Sequence, residues 1–111
     1  MGKLVRDKDI DLIAEREGRQ PNSHVLLDRE ERIRARLNKV MEEAVELYED
    51  AEIDLSGSEN RQKIIEEMGD VLDAVFSLAP EWNISDNEIA HARKIKYQAR
   101  GGFEKGLHLD E

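Results

Sequence analysis

The chain has no cysteine, only two prolines, and aromatics at 5% of its 111 residues. The missing thiols exclude disulfide staples, thiolate nucleophiles and cysteine-ligated metals. So few aromatics beside 39% charged residues argue against a sheet protein and for solvated helices around an aliphatic seam. No apolar run approaches the ~20 residues that span a bilayer, and no signal-like apolar stretch is present. The expected setting is therefore cytoplasmic, with no membrane partner. A net charge of −9 repels phosphodiester backbones, so no nucleic-acid partner is expected. No glycine-rich loop follows a strand pattern, which removes P-loop and dinucleotide folds. No serine has a base arranged to activate it.

Helical periodicity is present instead, and the length suits one domain over 1–111. A first helix is expected over 6–17, with Ile10, Ile13 and Ala14 on one side and Gly18 ending it. A long helix over 28–51 carries Ile33, Leu37, Val40, Ala44, Leu47 and Ala51 inward. Gly57 marks a turn, and a second long helix over 59–78 turns Ile64, Met68, Val71, Leu72, Val75 and Leu78 inward until Pro80 ends or bends it. Ser85-x-x-Glu88 is a capping box that opens a last helix through Ala99, closed by Gly101-Gly102. The expected fold is all-α, an antiparallel helical bundle. Leu12, Val45, Tyr48 and Phe76 add apolar surface beyond what one small bundle covers, so completion by dimerisation is expected.

Two acidic blocks stand out, Glu42-Glu43-x-x-Glu46 and Glu66-Glu67-x-x-Asp70. Taken singly, such a block is an ordinary solvated helix face. At ~100° per residue, Glu43 and Glu46 lie roughly 80° and 140° from the apolar centre of their helix. Glu67 and Asp70 lie roughly 100° and 160° from theirs, rotated in the same sense. In an antiparallel pair this puts both sets on one edge. The intervening turn sets Glu43 level with Asp70 and Glu46 level with Glu67. Four carboxylates in one patch repel unless cations sit among them, so Glu43, Glu46, Glu67 and Asp70 are the expected ligands of a hard divalent cation.

Other candidates are weaker. Glu88-x-x-His91 has the spacing of half a di-iron site, but only one such motif occurs and Glu88 already serves the capping box. Basic clusters lie near each end of the chain. They suit phosphate oxygens opposite a metal, or simply the dipole at a helix C-terminus.

The Glu43-x-x-Glu46 and Glu67-x-x-Asp70 pattern resembles the signature of the MazG-like all-α nucleoside triphosphate pyrophosphatases. The superfamily includes phosphoribosyl-ATP pyrophosphohydrolases and dimeric dUTPases. The opening Lys3-Leu4-Val5-Arg6-Asp7-Lys8 and the closing Arg100-Gly101-Gly102-Phe103-Glu104-Lys105-Gly106 resemble a small single-domain, house-cleaning branch. One departure is the run Asp9-Ile10-Asp11 after Lys8, where similar chains continue Ile-Pro-Glu; it bears on the start of the first helix.

The resemblance implies a homodimer or dimer of dimers. It implies Mg²⁺, with Mn²⁺ as substitute, held by Glu43, Glu46, Glu67 and Asp70. The implied reaction is hydrolysis of a nucleoside triphosphate between the α and β phosphates. Glu42 is the candidate for support of the ligands or for a general base. Lys3, Arg6, Lys8, Lys94, Lys96 and Arg100 are candidates for phosphate contacts, and Phe103 for packing on a base or anchoring the tail. Asp73 extends the acidic patch. Two alternatives stand beside this expectation: a phosphoribosyl-ATP pyrophosphohydrolase, and a non-catalytic helical interaction module with a vestigial acidic site.

Overall fold

The computed structural model describes residues 2–111, and among them the secondary structure is entirely helical. Helix α1 (Asp9–Glu17) is followed by α2 (Arg29–Glu52), α3 (Arg61–Leu78), a 3-10 turn (Ala79–Trp82) and α4 (Asp86–Arg100). None of these helices is long and apolar enough to cross a membrane.

Helix boundaries follow from local chemistry. Helix α1 starts at Asp9, later than the expected residue 6, because Arg6 and Asp9 close a turn in front of it. The Asp9 carboxylate accepts from the Arg6 amide at 2.9 Å, and the Asp9 amide donates to the Arg6 carbonyl at 2.9 Å. Arg6 therefore stays off the helix. Asp28 caps α2, its carboxylate accepting from the Glu31 amide at 3.0 Å. Asp54 organises the α2–α3 turn by accepting from the amides of Glu59 and Asn60 at 3.1 and 2.7 Å, beside Gly57 in the left-handed region. Those amide bonds, led by Asn60, hold the Asp54 carboxyl below its ordinary range. The Ser85–Glu88 capping box forms with both of its hydrogen bonds.

Helices α2 and α3 pack as an antiparallel pair. At one end Arg32 grips the Glu81 carboxylate through Nε and Nη2 at 2.8 and 3.0 Å, and Arg29 donates to the Glu81 carbonyl at 2.6 Å. At the other end Lys63 lies 3.4 Å from Asp50.

The buried face differs from the expected seam. Leu78 is buried, and Ile33, Val40, Leu47, Ala51, Ile64 and Val71 are half-buried. Leu37, Ala44, Met68, Leu72 and Val75 are exposed instead. The positions buried on the α2–α3 pair include Glu43, Glu67 and Ala74, so the contact is rotated toward the acidic edge. Ala74 permits that rotation, since its small side chain lets α2 approach along this edge. Two wide apolar stripes cannot both be fully covered by one partner each.

The molecule is open for its size. Its radius of gyration is 17.7 Å, against about 13 Å for a compact 100-residue domain. Its accessible surface is 9825 Å², against about 6,300 Å² for a compact monomer of 12.8 kDa.

With so little buried, helix caps carry weight. Replacing Asp28 by alanine is expected to cost about 1 kcal/mol and to lower the thermal midpoint by about 4–8 °C. Urea and thermal denaturation followed by circular dichroism check this; an unchanged midpoint would mean that the cap does not hold α2.

Candidate functional site

The acidic edge of the α2–α3 pair holds the two charged residues that are buried among those described. Glu43 on α2 is 8% exposed and Glu67 on α3 is 7% exposed. In each, the Oε2 atom is buried with no hydrogen-bond partner. An unpartnered buried carboxylate oxygen is costly, and native proteins retain few of them.

Glu42, Asp70, Asp73 and the other oxygen of Glu43 are paired within the chain. Lys39 lies 3.2 Å from Glu43 Oε1 and 3.3 Å from Glu42 Oε2, and Lys3 lies 3.7 Å from Glu42 Oε1. Burial works against the Lys39 charge, but its bonds to Glu43 and Glu42 outweigh that and raise its pKa. Arg6 reaches across from the N-terminal segment with its fork open on two acids: Nη2 donates to Asp70 at 2.6 Å and Nη1 to Asp73 at 2.9 Å. These bonds, Asp73 first, hold Arg6 charged more firmly still.

Like charges crowd along the rest of the edge. Desolvation and then the neighbouring Glu43 push the Glu46 carboxyl upward. The neighbouring Asp50 carboxylate and then desolvation push Glu67 up to about 7, with Glu46 adding a smaller repulsion. Asp50 moves the other way, lowered by its interaction with Glu67 and then by Lys63.

Beside this edge, a cavity of about 360 Å³ lies between the N-terminal segment, α2 and α3. Asp7, Glu43, Asp70 and Asp73 are its acids, Arg6, Arg36 and Lys39 its cations, with Ser77 and the apolar Leu4, Val5 and Ala74 completing the wall. Glu43 and Asp70 thus share one cavity, and Glu46 lies near enough to perturb Glu67, which is the register expected from the turn.

Among the described residues, however, no three acidic or histidine side chains gather closely enough to hold a metal ion. The reason is visible in the pairings: Asp70 is turned onto Arg6, and one oxygen of Glu43 onto Lys39. The donor chemistry nevertheless fits a hard cation, with carboxylate oxygens alone and two of them buried and unpartnered.

Lys3 and Arg6 reach the acidic edge, whereas Lys8 sits at the start of α1, outside the cavity wall. Lys94, Lys96 and Arg100 lie exposed on α4 and Phe103 is 100% exposed; the fold does not bring these four to the cavity. Sequence reasoning missed Asp50, Arg36 and Lys39. Their signal was helical spacing: Arg29, Arg32, Arg36, Lys39 and Glu43 recur at steps of three and four, and Asp50 follows Glu43 by two turns.

The raised Glu67 gives a pH signature. Between its ordinary 4.5 and about 7, the folded chain binds this proton more tightly than the unfolded chain does. Its contribution to stability is complete below 4.5 and is lost as pH rises through about 7. In chelator, Glu67→Gln should therefore melt above wild type at pH 8 by a few degrees and close to it at pH 4.5, as read by thermal denaturation across pH. Equal pH profiles for the two proteins would show that the Glu67 carboxyl is not raised.

No family model, no curated protein and no solved structure matches this chain.

Proposed function

We propose that the chain is a Mg²⁺-dependent nucleoside triphosphate pyrophosphohydrolase of the MazG-like kind, releasing monophosphate and pyrophosphate, with house-cleaning of non-canonical or surplus nucleotides as its role in the cytoplasm. The observation that carries this reading is the pair of buried, unpartnered oxygens on Glu43 and Glu67, beside a cavity whose wall mixes acids with three cations. Buried carboxylate oxygens without partners favour a cation, and arginine and lysine set among acids at a cavity wall can meet the oxygens of a metal-bound phosphate.

On this reading Glu43, Glu46, Glu67 and Asp70 would hold Mg²⁺, with Mn²⁺ as substitute. When bound, the metal would offset phosphate charge and make water a better nucleophile toward phosphorus. The chain supplies the rest. Arg6 now bonds Asp70 and Asp73, and once those acids have another cation its fork is free for phosphate oxygens. Lys3, at the rim beside Glu42, adds a mobile positive charge. Glu42, 3.3 Å from Lys39, keeps that lysine at the cavity and is the candidate general base. Lys8, Lys94, Lys96, Arg100 and Phe103 would take part only if assembly carried them to a cavity.

Assembly as a homodimer or dimer of dimers is part of the proposal. The surface excess supports it, as does an apolar groove of about 410 Å³ lined by Ala44, Leu47, Tyr48, Ala51, Leu55 and Met68. Sedimentation velocity at micromolar concentration should give a dimer or tetramer, and Tyr48→Glu should shift it toward monomer. A monomeric wild type at that concentration would remove this element.

Activity is tested by pyrophosphate release from canonical and modified nucleoside triphosphates, with Mg²⁺ and with chelator. Release should vanish in chelator, and Glu43→Ala or Asp70→Ala should lower turnover by about 100-fold or more. Full turnover in either variant would overturn the site. No release from any substrate, phosphoribosyl-ATP included, would favour the non-catalytic interaction module.

A further inference from the structure

Three cations line the cavity, and they are not equally committed. Both terminal nitrogens of Arg6 are held by Asp70 and Asp73, and the Lys39 ammonium lies between Glu42 and Glu43. Arg36 is held only through Nε, at 3.3 Å from Glu81 Oε2. Among the described residues its two terminal nitrogens make no hydrogen bond to the protein, and its side chain is 28% exposed.

Glu81 does not use up the Arg36 charge. The two Glu81 oxygens already accept from Arg32 at 2.8 and 3.0 Å. One carboxylate thus faces two guanidinium groups, and the positive charge in excess is the one that reaches the cavity wall. The Glu81 contact instead fixes orientation. Its side chain is 10% exposed and is set by the 3-10 turn Ala79–Trp82, so it pins Nε and leaves the outer edge of the fork open.

The axial position matters as well. Arg36 lies two helical turns before Glu43 on the same side of α2, about 10 Å along the axis. That separation suits a chain of phosphates with one end at the acidic edge and the other at the arginine.

We infer that Arg36, oriented by Glu81, binds the terminal phosphates of the substrate and hence the pyrophosphate that leaves. This rests on the pyrophosphohydrolase reading and names the residue that reads the far end of the polyphosphate. A guanidinium fork suits it, since two parallel hydrogen bonds to one phosphate give orientation as well as charge.

The test is calorimetric titration of the full chain with inorganic pyrophosphate in Mg²⁺, alongside steady-state hydrolysis of the best nucleoside triphosphate. Arg36→Ala should weaken pyrophosphate binding by about tenfold or more and raise KM similarly. Its thermal midpoint should stay near wild type, because Arg32 still satisfies Glu81. Arg36→Lys keeps the charge without the fork, and should recover part of the binding. Wild-type affinity and KM in a folded Arg36→Ala protein would overturn this inference and leave the enzyme reading standing. A wild type that neither binds pyrophosphate nor hydrolyses any triphosphate would overturn both.

Discussion

Taking a carboxylate out of water carries a heavy desolvation penalty unless a cation or several donors replace the lost hydration. Helices α2 and α3 meet that penalty twice, at Glu43 and Glu67, on the edge where they pack. The rest of the arrangement is the set of partial compensations. Lys39 takes one oxygen of Glu43, and crowding against Asp50 makes Glu67 hold its proton to higher pH. The Arg6 fork draws the N-terminal segment onto Asp70 and Asp73. None of these reaches the Oε2 atoms, so the compensation is incomplete at the two points where a further ligand would act most strongly.

The same choice of packing edge explains the open shape. Because the α2–α3 contact rotates toward the acids, much of the apolar stripe expected to face inward stays outside. Leu37, Ala44, Met68, Leu72 and Val75 are all exposed. A compact monomer would close over these side chains. Here the Glu81 clamp fixes one end of the pair, Lys63 and Asp50 meet at the other, and the acids occupy the inner edge, which leaves the aliphatic side as the surface with most to gain from association. Acidic site and apolar face are therefore two consequences of one helix rotation.

Helix order, the capping box and the acidic register were legible in the sequence because each depends on spacing along one or two neighbouring helices. Glu43 and Asp70 face one cavity because the turn between them has a fixed length, and the period of the helix does the rest. The rotation of the contact was not legible. It is decided by how small Ala74 is, where Arg32 meets Glu81 and which stripe remains without a partner, and these are tertiary facts. Arg36 and Lys39 were missed for a related reason. Their spacing from Glu43 is plain, but their approach to the cavity depends on that rotation. The basic residues of α4 stood out by clustering, yet nothing in the sequence showed that α4 would leave them in solvent.

An acidic edge of this kind also sets how stability and binding are linked. Unpartnered oxygens lower the stability of the empty chain, and the same oxygens give a cation its largest advantage, since a ligand that binds only the folded state stabilises it by mass action. Replacing Glu43 and Glu67 by apolar residues of similar size would relieve the desolvation and favour the fold, as happens when buried ion pairs are replaced by hydrophobic groups. Carboxylates kept there with only partial compensation therefore cost the fold stability that apolar residues would not. The Arg6 strap fits that balance. It supplies countercharge to Asp70 and Asp73 from a side chain more than half exposed, so solvent screens the contact and the edge is compensated only in part.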